Sequence, residues 1–293
     1  MTTIVIVEGN TPAAVAAGKS GARGFLRSLA MLDPAARFHV VNPYARRVPA
    51  TEFDGAQGIV FTGAGEPWGV TAPEAAPQRA AMETALASGL PVWGSCNGMQ
   101  LAAVVAGGRV GPSPRGTEVG VARDIRLTAE GRAHPMLSGR TDGFAVPCIH
   151  RDEVRRLPAA ARLLAGNDHS PVQAMSITAD GVDFRGTQYH PELTPGDIAD
   201  YVRANGIFAA LAGLEAVLDA AESDPAAARR LGTSPQELSV DNRTAELRAW
   251  LRHVADRAGT APAVASPCPN PAAAGMMAPE QGHHPCPSFA ATA

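Results

Sequence analysis

Cysteine is scarce in this chain. Cys96, Cys148, Cys268 and Cys286 are the four present among 293 residues, too few and too scattered for a disulfide framework. Long apolar runs are missing as well. The best candidate, residues 206–221, is interrupted by Glu215 and Asp219, so no transmembrane helix is expected. Charge of one sign is also lacking: 25 Lys and Arg oppose 28 Asp and Glu, a formal net charge of −3. That balance excludes the basic field of a nucleic-acid binder. Lys19 is the single lysine, which, with the abundance of alanine, reads as coding bias from a GC-rich genome. The start, Met-Thr-Thr-Ile-Val-Ile-Val-Glu, has no basic region and reads as a first strand rather than a signal peptide. Together these absences predict a cytoplasmic protein with neither a membrane nor a nucleic acid as partner. What is present is ordinary for a globular chain: 45% hydrophobic and 18% charged residues, which excludes wholesale disorder. The length predicts two domains, or one large domain with additions.

Strand and helix patterns alternate over the first hundred residues. β-Branched or apolar runs at 3–7, 38–41, 58–62 and 91–93 predict strands. Between them, 21–32 has helical spacing, with Phe25, Leu26, Leu29 and Leu32 on one face. Residues 77–88 and 97–106 predict two further helices. Continuous apolar strands separated by helices indicate a parallel sheet covered on both faces. From about Val119 the pattern changes. Runs at 119–127, 162–165, 172–177 and 185–189 predict an antiparallel extension, with the chain returning to the main sheet near Tyr189. Helices are predicted from Pro195 through Arg203, at 207–221 and at 244–257. The stretch from Thr260 carries seven prolines and no periodicity, and predicts a disordered or loosely attached tail. The expected division is 1–205 the α/β domain, 206–259 a helical appendix, and 260–293 the tail.

Val92-Trp93-Gly94-Ser95-Cys96-Asn97-Gly98-Met99-Gln100 is the most informative segment. An apolar strand runs into Gly-x-Cys-x-Gly and then a helix, the nucleophile-elbow pattern with cysteine in place of serine. The sharp turn forces the nucleophile into a strained conformation, and Gly94 and Gly98 remove Cβ atoms that would clash. The helix N-terminus favours an anionic sulfur, and its unpaired N–H groups, beginning with Asn97, can hold an oxyanion. The alternative is a buried structural cysteine in a glycine-rich turn.

A thiolate needs an oriented acid–base partner. His39 lies inside a strand pattern, His134 and His169 in polar loops, and His253 on a late helix; His283 and His284 fall in the tail. His190 differs, because it ends the run Gly186-Thr187-Gln188-Tyr189 and precedes Pro191-Glu192. That spacing puts a carboxylate within reach of the imidazole; the alternative is a solvated His-Pro-Glu turn. Gly18-Lys19-Ser20 resembles the end of a phosphate-binding loop, but the required glycine at position 13 is Ala13, so no phosphate site is expected.

Gly94-x-Cys96-x-Gly98-Met99-Gln100, followed by Gln188-Tyr189-His190-Pro191-Glu192, resembles the class I (triad) glutamine amidotransferases, most closely the glutaminase domain of GMP synthase and its stand-alone relatives. The likeness covers roughly 1–205. It implies an α/β fold: a doubly wound, mostly parallel, flavodoxin-like sheet with helices on both faces. It also implies that Cys96 attacks the side-chain amide of glutamine, that His190 moves protons and that Glu192 orients it. Ammonia and glutamate are then formed through a γ-glutamyl thioester, with no cofactor or metal. In the family a Gly-Gly-Pro loop supplies an oxyanion N–H; here it reads Thr62-Gly63-Ala64-Gly65-Glu66-Pro67, so Gly63, Ala64 and Gly65 are candidates beside Asn97. Gln100 matches a glutamine near the substrate. The Ser-His-x-Asp segment that helps hold the substrate's α-amino and carboxylate groups matches Cys148-Ile149-His150-Arg151-Asp152, which makes His150 and Asp152 candidates; a plain polar turn is the alternative.

The chain has no Ser-Gly-Gly-x-Asp-Ser segment of an ATP pyrophosphatase. Residues after 205 read as too helical and too few for an ammonia-accepting synthetase. The first expectation is a glutaminase that passes ammonia to a separate acceptor enzyme. The second is a γ-glutamyl hydrolase acting on a γ-glutamyl amine or peptide, which a roomier pocket near Trp68 and His150 would favour. The third is a non-catalytic relative that binds a partner through its late helices.

Overall fold

The structure is a computed structural model that describes residues 2–204 and 211–260. Met1–Thr260 form one compact unit. The predicted tail from 261 onward, with Cys268, Cys286, His283 and His284, lies outside the described residues, as does the start of the helix predicted at 207–221.

Nine strands form one sheet in the order β2-β1-β3-β4-β11-β10-β9-β6-β7. Its first half is parallel: β1 (Thr3–Val7), β2 (Arg37–Val41), β3 (Gly58–Phe61), β4 (Pro91–Ser95) and β11 (Asp183–Thr187). Along β1, Ile4 and Ile6 face one side while Val5 and Val7 face the other, and all four are buried. A strand buried on both faces needs a continuous apolar run, which the β-branched sequence supplies. One face is covered by α2 (Ala22–Leu32), whose Phe25 and Leu29 pack with Ile4, Ile6 and Trp93. The other is covered by α3 (Ala76–Ala87) and α4 (Asn97–Val105), through Met82, Ala85 and Met99. A short α1 (Pro12–Ala16) precedes α2, capped by Thr11.

The antiparallel half holds β6 (Glu118–Leu127), β7 (Phe144–His150), β9 (Ala161–Gly166) and β10 (Ala174–Ile177). β5 (Arg109–Pro112) and β8 (Asp152–Arg156) pair separately. Strands β5, β7 and β8 escaped the sequence reading. The expected antiparallel extension is present, and the return to the parallel sheet comes at Asp183, ahead of Tyr189. α5 (Ala129–Ala133) bridges β6 and the turn before β7.

α6 (Pro195–Ala204), α7 (Leu214–Ala220), α8 (Pro225–Arg230) and α9 (Pro235–Leu238) cover the outer side of β6 and β7, burying Val121 and Ala145 against Ile198, Leu218 and Leu238. After α10 (Val240–Arg243), the long α11 (Ala245–Thr260) crosses to the parallel sheet. There Leu247, Trp250 and Val254 join Trp93 and Tyr189 in the main core. The segment read as an appendix is therefore packed into the sheet it follows. No described helix is long and apolar enough to cross a membrane.

Candidate active site

β4 and β11 are parallel neighbours, with Ser95 opposite Thr187. Their carboxyl ends therefore emerge side by side, where open α/β sheets place ligand sites. Cys96 stands at the turn from β4 to α4 with φ 50° and ψ −106°, a strained conformation for a residue with a Cβ. Its N–H donates to Thr187 O at 2.7 Å, tying the turn to β11. The predicted roles of the flanking glycines hold: a Cβ on Gly94 would lie 2.6 Å from the Gly98 carbonyl carbon, and one on Gly98 2.4 Å from Phe61 O.

His190 follows β11 and is buried together with Glu192. Its Nδ1 lies 2.6 Å from Glu192 Oε1, while Ser95 Oγ donates to Glu192 Oε2 at 2.9 Å. Burial opposes charge on the imidazole, but the Glu192 carboxylate and the Cys96 side chain outweigh it and hold its pKa well above the ordinary histidine range. Nε2 is buried and makes no hydrogen bond of ordinary geometry, but the Cys96 side chain is its neighbour, close enough to hydrogen-bond and to raise the pKa of the ring, while the sulfur also points to Ile149 O at 3.6 Å. Cys96, His190 and Glu192 thus come together from two adjacent strand ends.

The Gly63–Gly65 loop arrives from β3. A Cβ on Gly63 would sit 2.7 Å from His190 Cε1, so this backbone lies directly against the ring. Gly65 N donates to Asn10 Oδ1 at 2.8 Å, which occupies that donor. Thr62 Oγ1 accepts from Gly9 N and donates to Gly63 O. Below the loop, the buried Glu8 carboxylate accepts from Asn10, Ser20, Gly21 and Ala22. Asn97, at the first turn of α4, has no helical acceptor for its N–H.

Gln100, His150 and Asp152 meet at the corner between β7 and β8. Gln100 Nε2 donates to Asp152 O at 2.7 Å and to Gln188 Oε1 at 3.1 Å. His150 Nδ1 lies 3.1 Å from the same Asp152 O, and its Nε2 2.8 Å from Glu118 Oε2. The Asp152 carboxylate is held by Arg151, which also reaches Pro67 O at 2.9 Å. That bridge ties the corner to the segment before Trp68, and Trp68 itself donates to Tyr44 Oη. The corner is not a polar turn on the surface, since His150 and Asp152 are both buried.

Glu118, Cys148 and His150 place ligand-type atoms within 4.8 Å of one another. The chemistry of this set does not fit a cation. Glu118 Oε2, the oxygen shared with this set, already accepts from His150 at 2.8 Å, Gln173 at 2.7 Å and the Cys148 thiol, and the other His150 nitrogen is engaged by Asp152 O, so the set is closed by its own hydrogen bonds.

Sequence reading missed Ser95, Glu8, Asn10, Glu118 and Tyr201. Ser95 and Glu8 had a signal, a polar residue closing an otherwise apolar buried strand. Tyr201 had none: its ring packs on Gly65, with a Cβ there falling 3.2 Å from Cε2, and only the fold brings α6 to this loop.

A family model for class-I glutamine amidotransferases matches residues 33–209. A γ-glutamyl-L-1-hydroxyisopropylamide hydrolase from a Pseudomonas species is 42% identical over 149 residues, 50% of this chain and 50% of that protein. The glutamine-hydrolysing GMP synthase of Aeropyrum pernix is 37% identical over 167 residues, 54% of this chain and 30% of the synthase. The chain thus spans half or less of these curated relatives. A glutamine amidotransferase structure from Thermotoga maritima shares the fold with a TM-score of 0.60 at 16% identity, covering 86% of this chain and 97% of that one. The matched span begins just after α2, runs through the elbow and past α6, and includes both Cys96 and His190, and the chain belongs to the class-I glutamine amidotransferase family.

Proposed function

We propose that this chain is a thiol hydrolase of the γ-glutamyl amide bond, with glutamine as substrate and ammonia passed to a separate acceptor enzyme. The observation that carries the reading is the meeting of Cys96, His190 and Glu192 at the adjacent ends of β4 and β11.

The sulfur attacks the amide carbon with the proton of the thiol already on His190, whose imidazolium Glu192 favours. The carbonyl electrons move onto oxygen, where N–H groups of Asn97, Gly63 and Ala64 accept the charge. Gly65 shapes this loop rather than donating, because Asn10 holds its N–H. Collapse expels the nitrogen, protonated by His190, and leaves a γ-glutamyl thioester. Water then attacks, His190 takes its proton, and the C–S bond breaks to release glutamate. Glu192, fixed by Ser95, stabilises the imidazolium in both halves. Division into two steps lets one oxyanion site serve twice. Gln100, His150 and Asp152 serve the substrate by fixing the corner whose Ile149 carbonyl borders the sulfur. The route needs no cofactor.

A second reading is favoured by the 42% identical relative, whose name describes a γ-glutamyl alkanolamide hydrolase. On that reading the leaving group is an amine rather than ammonia, with the same triad. The test supplies the purified protein with glutamine and with a panel of γ-glutamyl amides, measuring ammonia, amine and glutamate beside Cys96→Ala. Release of ammonia from glutamine supports the first reading. Turnover of amides with none of glutamine replaces it by the second. Activity retained by Cys96→Ala overturns both.

A further inference from the structure

The four residues from Tyr189 to Glu192 are each held by a separate anchor. His190 N donates to Pro147 O at 2.9 Å. Glu192 O accepts from Ser28 Oγ at 3.0 Å. The other two anchors come from the C-terminal segment. Tyr189 Oη donates to Glu246 Oε1 at 2.8 Å, and Arg243 Nη1 donates to Pro191 O at 2.7 Å. Both lie beyond residue 209, where the family match ends.

These are expensive contacts to build. Glu246 and Tyr189 are 0% exposed and Arg243 is 1% exposed. A buried carboxylate survives only when paired and fully bonded, and Glu246 meets this through Arg140, whose Nε and Nη2 reach its two oxygens at 2.8 and 2.9 Å. Arg140 in turn lies 4.7 Å over the Phe144 ring, which packs edge-on against Tyr189. Arg243 leaves its Nε unpaired, so its burial serves chiefly the Pro191 carbonyl. A hydrophobic docking of α11 through Leu247, Trp250 and Val254 needs neither charge.

We propose that Arg243 and Glu246 are positioning residues: the C-terminal segment grips the chain on both sides of His190 and so sets where the imidazole stands relative to Cys96. This rests on the reading of Cys96 and His190 as the reacting pair. Tyr189 and Pro191 are the immediate neighbours of His190, so a shift at either carries the ring with it. Displacements of about an ångström cost on the order of 100-fold in such sites.

The test uses the full chain with Tyr189→Phe, Arg243→Lys, Arg243→Met and Glu246→Gln. Two measurements are made: kcat and KM on glutamine or the best γ-glutamyl amide, and the pH profile of Cys96 alkylation by iodoacetamide. The second needs no substrate, so it reports on the grip even where the proposed substrate is wrong. The titratable groups that face this sulfur are His190 with Glu192 behind it, Cys148 on β7 and Tyr201 on α6. Expected are a fall in kcat of about 10-fold for Tyr189→Phe and more for Arg243→Met, with KM within about 3-fold. The alkylation profile shifts in the same variants, and Arg243→Lys recovers most of the activity. Unchanged kcat and an unchanged profile in Tyr189→Phe and Arg243→Met, with only a lower melting temperature, overturn the proposal. A wild-type profile that His190→Ala leaves unaltered instead overturns the reacting pair on which it rests.

Discussion

The molecule holds the same pair of groups twice. His190 and Glu192 are a buried imidazole and carboxylate 2.6 Å apart with Cys96 beside them. His150 and Glu118 are a buried imidazole and carboxylate 2.8 Å apart with Cys148 beside them. The two differ in what is left over. At His150 both ring nitrogens are engaged, one by Glu118 and one by Asp152 O, and the thiol donates to the carboxylate. At His190 one nitrogen is engaged by Glu192 and the other is left to the Cys96 thiol, which stands at a helix start on strained backbone. Burial and a nearby acid are therefore common to both, and neither identifies the reactive pair. The distinguishing features are a ring nitrogen turned to the thiol rather than to a carboxylate or carbonyl, a thiol at the positive end of α4, and a loop that presents Gly63 to the ring.

The largest effect separates the two thiols. Cys96→Ala is expected to lower kcat/KM by about 10⁴-fold or more, the scale of losing a nucleophile. Cys148→Ala is expected to stay within about 3-fold of wild type and to lose on the order of 1 kcal/mol of stability. Iodoacetamide followed by peptide mapping should mark Cys96 and leave Cys148, whose thiol is fully buried and held protonated. Equal labelling of both would erase the distinction.

The carboxylates come next. Glu192→Gln removes the charge that holds the proton on His190, so its pKa falls toward the ordinary value. Activity that depends on the imidazolium is then lost at lower pH, and the alkaline limb of kcat/KM moves acidward. A fall of about 10³-fold at neutral pH goes with it, by analogy with neutralised triad acids. Glu118→Gln leaves that limb in place. Its effect is a loss of about 1–3 kcal/mol, because Asn167 and His150 lose the anion they were matched to. A pH profile that moves in Glu118→Gln and not in Glu192→Gln would reverse the two assignments.

The glycine loop is the third point of contrast. Gly63→Ala places a Cβ 2.7 Å from His190 Cε1, and either the ring or the loop must move. We expect about 100-fold lower kcat with a melting temperature close to wild type, measured by steady-state kinetics and thermal unfolding. Wild-type kcat in this variant would show that the loop does not define the ring's position.

Much of this was readable in advance, and the parts that were not share a cause. The elbow at Cys96 and the His190-Pro191-Glu192 turn are local patterns: a strand end, glycines at fixed offsets, and a carboxylate two residues from a histidine. The parallel strands announced themselves because a strand buried on both faces must be apolar throughout. Strand β7 hid because Pro147, Cys148 and His150 break the apolar run. The role of His150 was read as a side chain offered to substrate, yet both its nitrogens are engaged by groups 2 and 32 residues away. Glu246 and Arg243 were invisible as parts of a site, since their partners lie 57 and 52 residues back in the chain. Long-range pairing leaves no local periodicity, so a charged residue on a late helix looks like a solvated one.

A third histidine, only half-buried, completes the comparison and carries the smallest effect. His134 is half-buried with no carboxylate bonded to it; its Nδ1 instead accepts from Met136 N at 3.2 Å. Burial, with the nearby charges of Arg185 and Arg162, pushes its pKa down to about 4. The folded chain thus refuses a proton that the unfolded chain accepts near 6.5. Between those values the unfolded state binds more protons, so stability is lost as pH falls from about 6.5 through about 4. His190 has the opposite sign: its raised pKa favours the fold below 6.5 and gives that contribution up as pH rises. His134→Asn keeps an acceptor for Met136 N and removes the titration. Melting temperatures measured from pH 7 to pH 4 should therefore fall less steeply in this variant than in wild type, by a few degrees at the acid end, with activity at neutral pH unaltered. Parallel curves for the two proteins would mean that His134 takes its proton in the folded state as readily as in the unfolded one, and that burial without an acid is not what separates it from His190.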